Sequence, residues 1–174
     1  YGQAVVPPDL PEAAGIAAGW LHSLVLKRDG TLAGWGYNSS GQATPPALHG
    51  VIEVAGGFDH SVALHVDGTL SEWGYSYGAQ PPLPRIVRIT GMNLYFGAIS
   101  EAGTVHRWHQ SMASFPTLEP SEALAIAPST INDSPHMVSL LRDRGLVRCA
   151  GYNSAGQVNT PGWLRNVIAV GAAR

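Results

Sequence analysis

The chain has one cysteine, one lysine and no long apolar run, and each shortage closes off a class of protein. With Cys149 alone no internal disulfide can form. A catalytic thiol needs a depressed pKa, whereas the strand-like run Leu146-Val147-Arg148-Cys149-Ala150 reads as the setting of a buried small hydrophobe. Lys27 stands against nine arginines and the formal charge is -2, so neither a polybasic surface nor a nucleic-acid partner is expected. No stretch approaches the ~18 apolar residues that span a bilayer, so no membrane partner is expected either. No lysine follows any glycine-rich loop, which leaves no phosphate loop and implies no cofactor. The first residue is Tyr1 rather than Met, so processing or trimming could have removed a leader. The compartment stays open, with a secreted or extracellular one slightly favoured.

What the chain does have is glycine and proline, 21 and 13 residues, spread in register rather than in one tract. That is turn chemistry. The organising stretch is Ile16 to Gln42, in which two short apolar runs flank Asp29-Gly30, a strong hairpin signal. The rest of the chain repeats it. Gly30 recurs as Gly68, Gly103 and Gly145, at spacings of 38, 35 and 42. His22 recurs as His60, with Tyr95 in the third copy and His136 one residue out of step in the fourth. Trp35 recurs as Trp73 and Trp108 and is replaced by Ala150; Gly41-Gln42 recurs as Ala79-Gln80 and Gly156-Gln157.

Four units follow, 16–50, 52–88, 89–125 and 126–166, with partial units 1–15 and 168–174. Each holds short strand-like runs bounded by Gly, Pro, Asn or Asp and no trustworthy helical period. Small antiparallel sheets repeating about every 40 residues predict an all-β fold, a β-propeller of about four blades.

The unit I-x-x-G-x-x-H-[ST]-x-x-L-x-x-D-G-x-[LV]-x-x-W-G-x-N-x-x-G-Q resembles the regulator of chromosome condensation repeat family over essentially the whole chain. The short units, with Gly-Gln followed by Pro, are most similar to its bacterial branch, which includes a propeller-type inhibitor of β-lactamases. The resemblance implies a role in binding proteins and a seven-bladed ring, for which four units are too few, so the chain is expected to be a propeller segment or to be completed by another chain through self-association of its incomplete terminal units. The resemblance brings two more specific readings, inhibition of a serine β-lactamase and guanine-nucleotide exchange on a small GTPase, and the incomplete end units add a third, a structural or assembly role.

The repeat-defining residues read as architecture. His22 and His60 are expected to be buried imidazoles bonded to nearby backbone, and the tryptophans to pack between blades. His106 and His109 are three apart on a strand, which turns them to opposite faces, so no metal site is expected. No Ser/His/Asp arrangement stands out, and no enzyme activity is expected. The residues that vary between units are the candidates for function. Trp20-Leu21, Phe58-Asp59, Asn93-Leu94 and Ser134-Pro135 precede the His positions and should form one arc on one rim. Aromatics beside a carboxylate suit a protein-binding hot spot, and the resemblance gives Trp20 and Phe58 that role. A second variable loop follows the Trp-Gly positions and contains Tyr37, Tyr75, Tyr77 and Tyr152. Tyr with Ser and Asn suits an adaptable contact surface, although packing within the repeat explains a recurring tyrosine equally well.

Overall fold

The computed structural model describes residues 2–10, 12–76, 80–91, 96–108, 123–128, 136–141, 145–151, 153–156 and 158–170. Within them the chain forms four three-stranded antiparallel sheets, each a simple meander. The first holds β1 (Ala13–Ala18), β2 (His22–Lys27) and β3 (Leu32–Gly36). The second holds β4 (Val51–Gly56), β5 (His60–His65) and β6 (Leu70–Gly74). The third holds β7 (Ile86–Gly91), β8 (Phe96–Ser100) and β9 (Val105–Trp108), and the fourth β10 (Ala123–Pro128), β11 (His136–Leu141) and β12 (Val147–Gly151). First strands of successive sheets touch one another, β1 with β4, β4 with β7 and β7 with β10, so the sheets stack as propeller blades.

The β2–β3 turn shows why the Asp-Gly signal worked. Lys27 N donates to Thr31 O at 2.9 Å and Gly30 N to Lys27 O at 3.0 Å, closing a three-residue loop with Gly30 at φ 81°. That left-handed position is cheap only for glycine. Asp29 Oδ1 then accepts from both the amide and the hydroxyl of Thr31, which holds its carboxyl below the usual range. The second blade repeats the device with Asp67 and Thr69. In the fourth blade the loop is one residue longer, because Leu141 N reaches Leu146 O. The extra residue lies in the turn. His136 therefore pairs with Gly151 just as His22 pairs with Gly36, and the step apparent in the sequence is not a step in the strand. Every first strand also carries a bulge near its start, for example between Val51 and Glu53, which adds local twist.

The core lies between blades. Leu24 and Leu26 of the first pack on Val51, Val54 and Ala63 of the second. Val62 and Leu64 of the second pack on Ile86, Ile89 and Phe96 of the third, and Ile99 and Val105 of the third on Ala123 of the fourth. Each such aliphatic side chain contributes about 1.5–3 kcal/mol on burial, so neighbouring blades are needed to hold one another.

Cys149 is a free thiol in β12, half-buried rather than fully buried.

Candidate functional site

Polar locks tie the tail of one unit to the blade that follows. The Gln3 carbonyl accepts from the Ser23 hydroxyl and from Trp35 Nε1, both at 2.9 Å. The Gln42 carbonyl accepts from Ser61 at 3.0 Å and from Trp73 Nε1 at 2.9 Å. Trp35 and Trp73 thus do pack between units, and their indole N–H groups find the tails at Gln3 and Gln42. This gives Ser23 and Ser61, which directly follow His22 and His60, a role that the sequence motif displayed without explaining.

His22 completes the lock. It is 1% exposed, and its Nε2 lies 2.9 Å from Ser61 Oγ in the next blade rather than on nearby backbone. Ser61 has one hydroxyl proton and gives it to Gln42, so His22 Nε2 must carry the hydrogen and donate. His22 Nδ1 is buried with no hydrogen-bond partner among the described residues. Burial pushes this imidazole below its usual range, and the charge of Asp59 pulls it partly back. His22 is a structural donor in this lock.

The same end of the blades carries the variable residues. The blades approach closely there because Gly19 and Gly56 have no side chains: a Cβ on Gly56 would stand 2.7 Å from Gly19 N. Across that gap Trp20 N donates to Gly57 O at 2.9 Å. The Trp20 and Phe58 rings stack with centroids 4.0 Å apart and planes inclined by 19°. Trp20 still remains 52% exposed. Leu21 and Phe58 are half-buried, and Asp59, with a side chain 19% exposed, approaches His60 Nδ1 at 3.6 Å.

The two variable loops meet. Tyr37 N donates to Leu21 O at 2.7 Å, and Tyr75 N to Asp59 O at 2.9 Å. Antiparallel pairing of β2 with β3 and of β5 with β6 brings the residue after Trp-Gly beside the residue before His. Tyr75 is 55% exposed and Tyr37 half-buried. Asn38 is occupied within its own loop, accepting from Ala43 N and donating to Thr44 Oγ1, both at 2.8 Å. Asn153 holds the corresponding loop of the fourth unit in the same way. Asn93, Leu94, Tyr77, Tyr152, Ser134, Pro135, Tyr95 and His109 lie outside the described residues. Among the described residues no group of three His, Cys, Asp or Glu could hold a metal ion.

One family model, the Regulator of chromosome condensation (RCC1) repeat, matches residues 14–42. No curated protein matches the chain in sequence. Among solved structures it is similar to the ectodomain of the Physcomitrella patens receptor kinase CR4, at 19% identity and a TM-score of 0.72, over 95% of this chain and 47% of that one. It is also similar to Prp20p from Saccharomyces cerevisiae, whose structure was described with its binding to Gsp1p and histones, at 18% identity and a TM-score of 0.68 over 87% and 48% of the two chains. Human WBSCR16 is similar at 14% identity and a TM-score of 0.65, over 83% and 49%. The chain spans about half the length of these structures. Residues 14–42 match a regulator of chromosome condensation repeat, and the chain has the β-propeller fold of these structures.

Proposed function

We propose that the chain is a non-enzymatic, protein-binding propeller segment that holds its partner at the rim built by Trp20, Leu21, Phe58 and Asp59, with Tyr37 and Tyr75 beside them. One observation carries this reading: a Trp–Phe stack bridges two blades and leaves 52% of the tryptophan in water. A large aromatic fixed in place costs little conformational entropy to bury against a partner, and such residues dominate binding energy. Prp20p, described with its binding to Gsp1p and histones, supports a binding role for this fold. Asn93, Leu94, Tyr77 and Tyr152 occupy the corresponding positions of the repeat in the sequence and are proposed as further partner contacts.

The test is a selection of random displayed peptides on the wild-type protein, followed by affinity measurement on Trp20→Ala and Phe58→Ala. The reading predicts binders that weaken at least about tenfold on each variant. Binders indifferent to both variants, or no binders at all, would overturn it.

A further inference from the structure

One polar couple belongs neither to the locks nor to the rim. His65 ends β5, and Ser71 lies in β6, across the hairpin turn. Ser71 pairs with Ala63, so Ala63, His65 and Ser71 share one face of the second blade. The His65 ring is held at both nitrogens: Nδ1 lies 2.8 Å from the His49 carbonyl oxygen, and Nε2 lies 2.8 Å from Ser71 Oγ. A carbonyl oxygen only accepts, so the hydrogen sits on Nδ1. In the neutral ring Nε2 is then bare and accepts from the Ser71 hydroxyl. This reverses the lock, where His22 Nε2 donates to Ser61. Ser61 is fully buried, whereas His65 and Ser71 both keep part of their surface in water.

The repeat does not require this couple. By strand pairing and turn bonding, the first blade has Lys27 and Ala33 at these places, and the fourth has Leu141 and Arg148. The third has Ser100 and His106, the same two residue types exchanged. There the two are not joined. The Ser100 hydroxyl is buried and donates to Thr104 O at 3.4 Å, and His106 Nε2 has no hydrogen-bond partner among the described residues.

An imidazole oriented through one nitrogen, with the other on a serine hydroxyl, is the arrangement that makes serine a nucleophile. Asp67, two residues beyond His65, lies within electrostatic reach of the ring and favours the imidazolium that forms when Ser71 gives up its proton. We propose that Ser71 is a covalent modification site, a nucleophilic serine that takes an acyl group from an activated carboxylic ester with His65 as its base. Ser71 Oγ attacks the ester carbonyl carbon as its proton passes to His65 Nε2. The tetrahedral adduct then expels the alcohol, which leaves with that proton, and the acyl group stays on Ser71 as an ester. One group is taken per chain, so this is modification and not turnover. The couple lies at the hairpin-turn end of the second blade, away from the rim, and does not depend on partner binding there.

The test is incubation of the folded protein with p-nitrophenyl acetate, followed by mass spectrometry of the intact chain and of its peptides. The expected result is one acetyl group, on Ser71, that is absent from Ser71→Ala. In His65→Gln the rate of acetylation at Ser71 should fall at least about a hundredfold. Acetylation that falls on Lys27 or Cys149 and passes over Ser71 would overturn the proposal. So would a rate at Ser71 that is unchanged in His65→Gln. Should a variant lose its fold by circular dichroism, the wild-type protein decides through Ser39, which is exposed. Ser71 labelled well ahead of Ser39 upholds the activated serine, and equal labelling of the two refutes it.

Discussion

The junction between the first and second blades and that between the second and third use the same backbone in two different ways. At the first, His22 donates to Ser61, Ser61 donates to the Gln42 carbonyl, and Trp73 donates to the same carbonyl. At the second, the residue in the place of Ser61 is Phe96, which pairs with Trp108 as Ser61 pairs with Trp73. The Phe96 ring meets His60 edge-on, with centroids 4.3 Å apart and planes at 89°. Ile89 N also donates to the Glu53 carboxylate, Oε2, at 3.1 Å across this junction. Net hydrogen bonds are worth about 1 kcal/mol each, and burying a phenylalanine about 1.5–3 kcal/mol. The two solutions are therefore of similar strength. They differ in what disturbs them: a polar relay answers to protonation and to loss of one hydroxyl, an aromatic contact to loss of volume.

That contrast can be broken from either side. Phe96→Ala should have the largest effect, about 3–5 kcal/mol, because the ring is 3% exposed and its removal leaves a cavity between the blades. A urea titration would show it as a lower midpoint. Ser61→Ala removes little volume but leaves the His22 donor unsatisfied and takes one of two donors from the Gln42 carbonyl, a loss of about 1–3 kcal/mol. The same substitution at Ser23 touches only the Gln3 carbonyl and should cost less.

A pH titration sharpens the contrast further. Burial lowers the folded-state pKa of His22 below its ordinary 6.5. Between that lowered value and 6.5 the unfolded chain binds more protons than the folded one, so stability falls as the pH drops below about 6.5. His106, lowered by burial as well, acts with the same sign. Thermal melts of His22→Gln, which keeps a donor toward Ser61 without a titrating ring, should show a shallower decline across this window. The smallest expected stability change is for Trp20→Ala. A half-exposed stack is worth about 0.5–1.5 kcal/mol beyond burial, so the melting temperature should move by only a few degrees while binding is lost.

Much of this was legible in the residues. The period, the hairpin glycines, the buried histidines and the tryptophans between units all follow from turn chemistry and from the recurrence of one pattern. His136 was misplaced because distance along the chain was counted across a turn, and a turn can absorb a residue that a paired strand cannot. The hydroxyl of Ser61 was visible as a repeated letter, but its two partners lie 39 and 19 residues away, in other units. A motif does not display contacts across its own repeats. The third copy has Phe96 where the first two have Ser23 and Ser61, and its ring fills the junction by other means. Of the candidate rim, Trp20, Leu21, Phe58 and Asp59 do lie at one end of the blades, with the amides of Tyr37 and Tyr75 bonded to Leu21 and Asp59. The stacking of Trp20 on Phe58 depends on the glycine approach between blades, which local sequence does not reveal.

The most direct test of the account is the affinity of a peptide selected on the wild-type protein for Trp20→Ala, with both proteins shown to be equally folded. A rim that binds through its aromatic stack predicts a loss of about 2 kcal/mol, roughly thirtyfold, with the melting temperature little changed. An affinity within about threefold of the wild type would mean that the stack only closes the gap between two blades.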